Sequence, residues 1–255
     1  IQETGDTLDF IGLPPQVEEV QPNTFFPCAE IHSIGATYYD LQSNRSIDNR
    51  FVSVGDEYLM AWTGSFELTP YSDRGSFVQQ GDLYNWSSNG NGPRVEEVRT
   101  GWPSVVSCAD VENILVSHIL DTVPSHELYL AYRAAVYNEW QHDRVPSEIM
   151  IDKLWPRAVS GGTDGNTVHV VTHLDGIVEG QNLPLVYARS TDAGQSWDVT
   201  DYFFEELDAN WKTEFSAEAY ALHARGNTVA LAVFGLIEDS YLLVSTDNGM
   251  TWNRI

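Results

Sequence analysis

The chain has 255 residues, 42% of them apolar, and carries 37 acidic against 13 basic side chains, for a formal net charge of −24. This length and apolar content support one or two domains with a proper core, which excludes a disordered tail. So acidic a surface repels polyanions and sets aside nucleic acid and anionic membranes as partners. No run nears the ~20 apolar residues of a membrane span, which sets aside insertion as well.

Residues 1–33 place Pro14, Pro15, Pro22 and Pro27 among acids and predict an extended N-terminal arm. The chain opens IQETG, with neither an initiator Met nor a signal-peptide apolar stretch, and reads as a processed product or a fragment. Its two cysteines, Cys28 and Cys108, fit no metal or redox motif. A disulfide between them and two separate thiols both stay open. Beyond the arm come short β-type runs bounded by Gly, Asp, Asn and Pro: YLMAW, ENILVSHIL, ELYLAYRAAVY, TVHVVTHL, LPLVYARS, TVALAVF and YLLVST. Only FFEELDANWKTEF (203–215) offers a helical turn or two, so the chain is predicted to be all-β.

A period organises these strands. Trp86, Trp140, Trp197 and Trp252 are 54, 57 and 55 residues apart. GWPSVV (101–106) and LWPRAV (154–159) set Trp102 and Trp155 53 apart, and His118 and His173 are 55 apart. Repeats of this length with several strands each predict a β-propeller of four-stranded antiparallel blades. About four blades are expected, near 34–98, 99–150, 151–205 and 215–255. The last outer strand has barely begun at Ile255, so the expectation is part of a larger propeller or one completed by a companion chain.

The outer turns repeat an octapeptide, STDAGQSW (190–197) and STDNGMTW (245–252). Gly194 and Gly249 supply a positive φ, Asp192 and Asp247 accept turn amides beside Ser190 and Ser245, and Trp197 and Trp252 pack between sheets. The pattern resembles the Asp box, or BNR repeat, of sialidase-like β-propellers, which implies a structural role in the hairpin between third and fourth strands. Together with IGATYYDLQSNRSIDNR (34–50), SDRGSF (72–77), TGWPSV and GGTDGNTVHVV, it is similar to secreted propeller proteins of Bacteroidota that carry a C-terminal sorting domain for type IX secretion. The resemblance implies a secreted or cell-surface protein.

Strand alternation places these turns opposite a mouth formed by the starts of first strands and the ends of second strands. The mouth is expected to gather Trp62, Trp102, His118, Asp121, Trp155, Arg157, His173 and Asp175. Aromatic rings with a few polar groups in a concavity suit sugar or peptide. Trp102 and Trp155 also suit packing between blades, the histidines suit satisfied structural roles, and Arg157 suits either a ligand carboxylate or a salt bridge between blades. No metal and no cofactor are expected. A sialidase-type exo-glycosidase would, by family, need three arginines around the substrate carboxylate, a Tyr paired with Glu as nucleophile, and an Asp acid. Among the strand-start motifs WPR alone brings an arginine, Arg157. The favoured function is therefore a non-catalytic binding or scaffold module for a glycan or protein ligand, with a sialidase-type hydrolase completed by further blades as the alternative.

Overall fold

The computed structural model describes residues 33–45, 49–82, 84–86, 92–111, 113–120, 126–133, 139–235 and 239–255. Cys28 and Asp121 lie outside them, and with Cys28 the proposed disulfide; Cys108 is a buried thiol whose pKa burial pushes up to about 12. The strands form four antiparallel sheets in chain order. Blade 1 holds β1 (Phe51–Val54), β2 (Glu57–Gly64) and β3 (Gly75–Gly81). Blade 2 holds β4 (Thr100–Val106), β5 (Asn113–Ile119), β6 (Leu128–Arg133) and β7 (Gln141–Val145). Blade 3 holds β8 (Lys153–Gly161), β9 (Thr167–Leu174), β12 (Leu185–Ser190) and β13 (Val199–Phe203). A small hairpin, β10 (Ile177–Val178) with β11 (Gln181–Asn182), is inserted between β9 and β12. Blade 4 holds β14 (Tyr220–Arg225), β15 (Thr228–Val233), β16 (Tyr241–Ser245) and β17 (Asn253–Arg254).

Blade 1 departs from the expected four strands. Among the described residues its outer segment makes the isolated bridges Phe77 with Arg94 and Gly81 with Trp86. Pro93 has no N–H to give to a ladder, and the Asp82 carboxylate instead gathers the amides of Tyr84 and Asn85 into a turn. The helical possibility in 203–215 reduces to a single 3-10 turn, Glu205–Leu207. Gln181 holds this connection by donating Nε2–H to the carbonyls of Leu207 and Lys212.

Period-2 alternation explains how the sheets stack. Leu59, Ala61 and Val78 of blade 1 face Val105, Leu115 and Tyr129 of blade 2. Ile114, Val116 and Leu130 on the other side of blade 2 face Ala158, Val168, Val170 and Ala188 of blade 3. Val171, Leu185 and Tyr187 then face Tyr220, Leu222, Leu231 and Leu243 of blade 4, with Trp252 closing that layer. Covered on both sides, β5 and β9 are buried along their whole length. Each such Leu or Val contributes roughly 1.5–3 kcal/mol through its removal from water.

The octapeptide turns have one geometry twice over. Ser190 Oγ donates to Asp192 Oδ1 at 2.8 Å and accepts the Gly194 amide at 2.8 Å. Ser245 repeats both bonds with Asp247 and Gly249, each at 2.8 Å. Asp192 accepts the amide and hydroxyl of Ser196, as Asp247 does those of Thr251. The left-handed step spans two residues rather than the glycine alone, with Ala193 at φ 56° and Asn248 at φ 62° preceding Gly194 and Gly249 at 86° and 80°. Trp252 is buried and Trp197 half-buried.

Hydrogen bonds from the Thr251 hydroxyl and amide, then from Ser245 and the Met250 amide, outweigh slight burial and hold Asp247 at about 2, below the ordinary 3.8. A depressed carboxyl stabilises the fold above its unfolded value and ceases to do so as pH falls through its folded value. Acid titration followed by circular dichroism should therefore show stability lost between about pH 4 and pH 2. Asp247→Asn should flatten that part of the curve while lowering stability at pH 7.

Candidate functional site

The register fixes two ends for every blade. In blade 3, Lys153 opposes Leu174 and Leu185 opposes His173 at one end, while Gly161 opposes Thr167 and Ser190 opposes Val168 at the other. The octapeptide turns thus lie at the second end, and the starts of the innermost strands open onto the first. At this mouth every blade carries a left-handed residue: Asn49 (φ 55°), Trp102 (53°), Trp155 (53°) and Glu218 (55°). In β4 and β8 the step is a bulge, between Gly101 and Ser104 and between Leu154 and Arg157. A non-glycine residue held there costs of order 1–3 kcal/mol, and for the two tryptophans neighbouring blades supply compensation. The Trp102 amide donates to Thr63 Oγ1 at 2.9 Å and the Trp155 amide to His118 Nδ1 at 3.0 Å.

Thr63, His118 and His173 are spaced by 55 residues and occupy matching ends of second strands. His118 accepts at Nδ1, so its proton sits on Nε2. Burial, and then Arg74, Arg50 and Arg99, push its pKa well below the ordinary 6.5. His173 has the opposite tautomer, its Nδ1–H donating to the Leu183 carbonyl at 2.7 Å. Its pKa falls to about 4 through burial, opposed by that bond and reinforced by Arg157. Both rings are neutral at physiological pH.

The centre of the mouth is Glu218, fully buried. Its Oε2 accepts the indole N–H of Trp102 at 2.9 Å, the Asn44 side-chain amide at 3.0 Å and the Asn44 backbone amide. Its Oε1 accepts the Ser43 hydroxyl at 3.2 Å and pairs with Arg157 Nη2 at 3.5 Å. Arg50 adds a second positive charge to this surrounding, its own pKa brought down to about 10 by burial, against the pull of Glu218 and with the push of Arg157. One carboxylate therefore joins blades 2, 3 and 4 to the N-terminal strap, residues 33–45. The strap is tied to blade 1 by the Tyr38 amide on the Ser65 carbonyl at 2.9 Å, and Gln42 exchanges hydrogen bonds with Thr63.

Of the residues expected at the mouth, Trp102, His118, Arg157 and His173 are buried, whereas Trp62 and Trp155 stay partly exposed and Asp175 fully so. Arg157 meets a carboxylate, but that of Glu218. Trp102 is the wedge between blades. Trp62 lines a cavity of about 430 Å³ between blade 1 and the strap, with Phe51, Met60, Arg50 and Asp40. Gly35 lies against its benzo ring and Phe77 stacks at 6.2 Å. Trp155 is at the mouth itself, edge-on to His173 at 5.7 Å, its carbonyl accepting the Tyr220 hydroxyl.

Sequence reasoning missed Glu218, Arg50 and the buried pair Arg74 and Tyr39, joined at 3.0 Å, with Arg74 also lying 5.2 Å from the Trp102 ring. Glu218 is 63 residues after Trp155, where the other steps are 53, because the 204–219 connection lengthens the unit.

No family model and no curated protein sequence matches the chain. Solved structures do. A family 117 glycoside hydrolase of the marine bacterium Zobellia galactanivorans superposes with TM-score 0.54 at 10% identity, over 87% of this chain and 72% of that one. Trypanosoma rangeli sialidase with 2,3-difluorosialic acid gives 0.52 at 12%, over 82% and 37%. Aleuria aurantia lectin with Fucα1-6GlcNAc gives 0.51 at 14%, over 78% and 56%. The chain has a β-propeller fold. It spans little over half of the lectin and well under half of the sialidase, and at these identities the likeness extends to the fold alone.

Glu218→Ala would remove the carboxylate that pairs with buried Arg157, a loss of roughly 3–5 kcal/mol for a broken buried pair. Chemical denaturation should read this. Glu218→Gln, which keeps the shape and part of the hydrogen bonding, should cost less, and equal losses would contradict the hub.

Proposed function

We propose that the protein is a non-catalytic, carbohydrate-binding propeller of the Asp-box kind, acting outside the cell or on its surface, with the glycan site at the mouth beside Trp155. The supporting observation is the state of Glu218. Both its oxygens are committed to donors and to Arg157 inside the protein, and the side chain is fully buried, so it presents no oxygen to a sugar. Trp155, in contrast, is fixed through its backbone on both sides while the residue stays half-buried rather than enclosed. A rigid aromatic plate beside polar groups is what a pyranose ring stacks on. The sugar-bound lectin and the glycoside hydrolases among the structural neighbours put carbohydrate first among ligand classes. Secretion by the type IX route of Bacteroidota belongs to the same proposal and rests on the sequence resemblance.

One observation favours the second reading, a sialidase-type hydrolase completed by further blades. Arg50, Arg74 and Arg99 all act on His118, and Arg157 stands at the next strand start. Cations thus converge at the mouth from separate stretches of sequence.

Titration of a panel of neutral and acidic oligosaccharides, followed by calorimetry, separates the two. Saturable binding without turnover is expected, and Trp155→Ala should weaken it by about tenfold or more, as removal of a central aromatic anchor does. Near-UV circular dichroism should confirm that the fold is retained. Binding indifferent to Trp155→Ala would refute the site, and hydrolysis of glycoside reporters would refute the non-catalytic reading.

A further inference from the structure

The repeat is broken by two extra pieces of chain at the mouth. The hairpin β10–β11 is inserted between β9 and β12, and the 204–219 connection between blades 3 and 4 is longer than 146–152, which joins blades 2 and 3. The two pieces are built into one wall. Asn182 gives its amide to the Thr213 carbonyl at 2.8 Å and accepts the Phe215 amide at 3.1 Å, and its side chain donates to Glu214 Oε2 at 3.0 Å. In repeat folds insertions gather on one face, often the binding face. Here the wall starts beside Trp155, because His173 makes edge contacts with both Trp155 and Phe215, at 5.7 and 6.4 Å.

The same wall carries a second tryptophan. Trp211 is four residues from Phe215, at most about 14 Å of chain. Its amide donates to the Asp208 carbonyl at 2.9 Å and its carbonyl accepts the Tyr241 hydroxyl at 2.9 Å. Tyr241 opposes Val233, and Val233 opposes Tyr220, so this bond pins Trp211 to the mouth end of blade 4. The Arg254 guanidinium lies 3.3 Å from the ring centre and covers one face. The residue is nevertheless 50% exposed, which leaves the other face to solvent. A ring held this way keeps one pose, so a ligand laid on it does not have to order it first. We propose that Trp211 is an outer subsite and that the mouth takes an extended, uncharged glycan chain, with one sugar ring at Trp155 and a later one on Trp211. This rests on the glycan site at Trp155 and deepens it. Exposed Asp208 and Glu214 flank the outer ring while Lys212 beside it is buried, so a neutral chain is accommodated better than an acidic one.

Calorimetric titration with neutral cello-, xylo-, manno- and galacto-oligosaccharides of one to six units tests the subsite. In a series that binds, affinity should rise by about tenfold or more between the shortest chains and those that reach both rings, since the second contact is then intramolecular. Trp211→Ala should remove that rise, so that long and short chains bind alike. Trp211→Leu, which stays apolar but presents no plane, should do the same and guards against a loss of fold, whereas Trp211→Phe should keep most of the rise. Trp155→Ala should weaken binding at every length, and a uronic-acid oligomer of matched length should bind less tightly than the neutral one. Affinity independent of chain length, a rise that survives Trp211→Ala and Trp211→Leu, or tighter binding of the acidic oligomer would overturn the outer subsite and leave the Trp155 site standing. If no oligomer of the four series binds, the carbohydrate reading fails and the subsite fails with it.

Discussion

The buried carboxylate of Glu218 is the constraint on which the mouth depends. A charge taken out of water is tolerated only with donors around it and an opposite charge nearby. Here those partners come from Ser43, Asn44, Trp102 and Arg157. Because they belong to the strap and to blades 2 and 3, satisfying one side chain fixes the relative positions of four pieces of chain. Glu218, Trp102 and Trp155 share a left-handed backbone, and at Trp102 that step accompanies the bond from its indole N–H to Glu218.

Two kinds of periodicity made most of the architecture legible. The Trp spacing near 55 marks the outer turns, and the recurrence of His118 and His173 marks the ends of second strands; both survive because one packing problem is solved again in each blade. The octapeptides were readable because every residue in them answers a local demand: a hydroxyl, a carboxylate, a left-handed step and a ring. That Ala193 shares the left-handed step with Gly194 was not readable, since alanine is no turn former, whereas Asn248 before Gly249 is one by residue type.

The centre of the site was less legible, for a physical reason. Glu218 occupies the place of Trp102 and Trp155 in blades 2 and 3, and its unit is lengthened by the 204–219 connection, so neither residue type nor spacing points to it. Arg50 and Arg74 are equally silent in one dimension, because their roles come from loops that meet only in the folded chain. Trp102 and Trp155 look interchangeable in sequence, each before a proline and 53 residues apart. The fold separates them: Trp102 has an acceptor for its indole N–H on Glu218 and is buried, while Trp155 as a residue stays half-buried.

The net charge of −24 describes the molecule seen from a distance and not the mouth. At physiological ionic strength exposed charges fade beyond about 8 Å, whereas Arg50, Arg74 and Arg157 lie in surroundings that screen them poorly. Arg50 and Arg157 act on the buried Glu218, and Arg50, Arg74 and Arg99 act on His118, so cations gather locally within an acidic chain. Burial first, and then Arg74, Arg50 and Arg99, keep the His118 ring neutral. The same gathering accounts for how so acidic a chain can bury Glu218: Arg157 pairs with it and Arg50 places a second positive charge beside it.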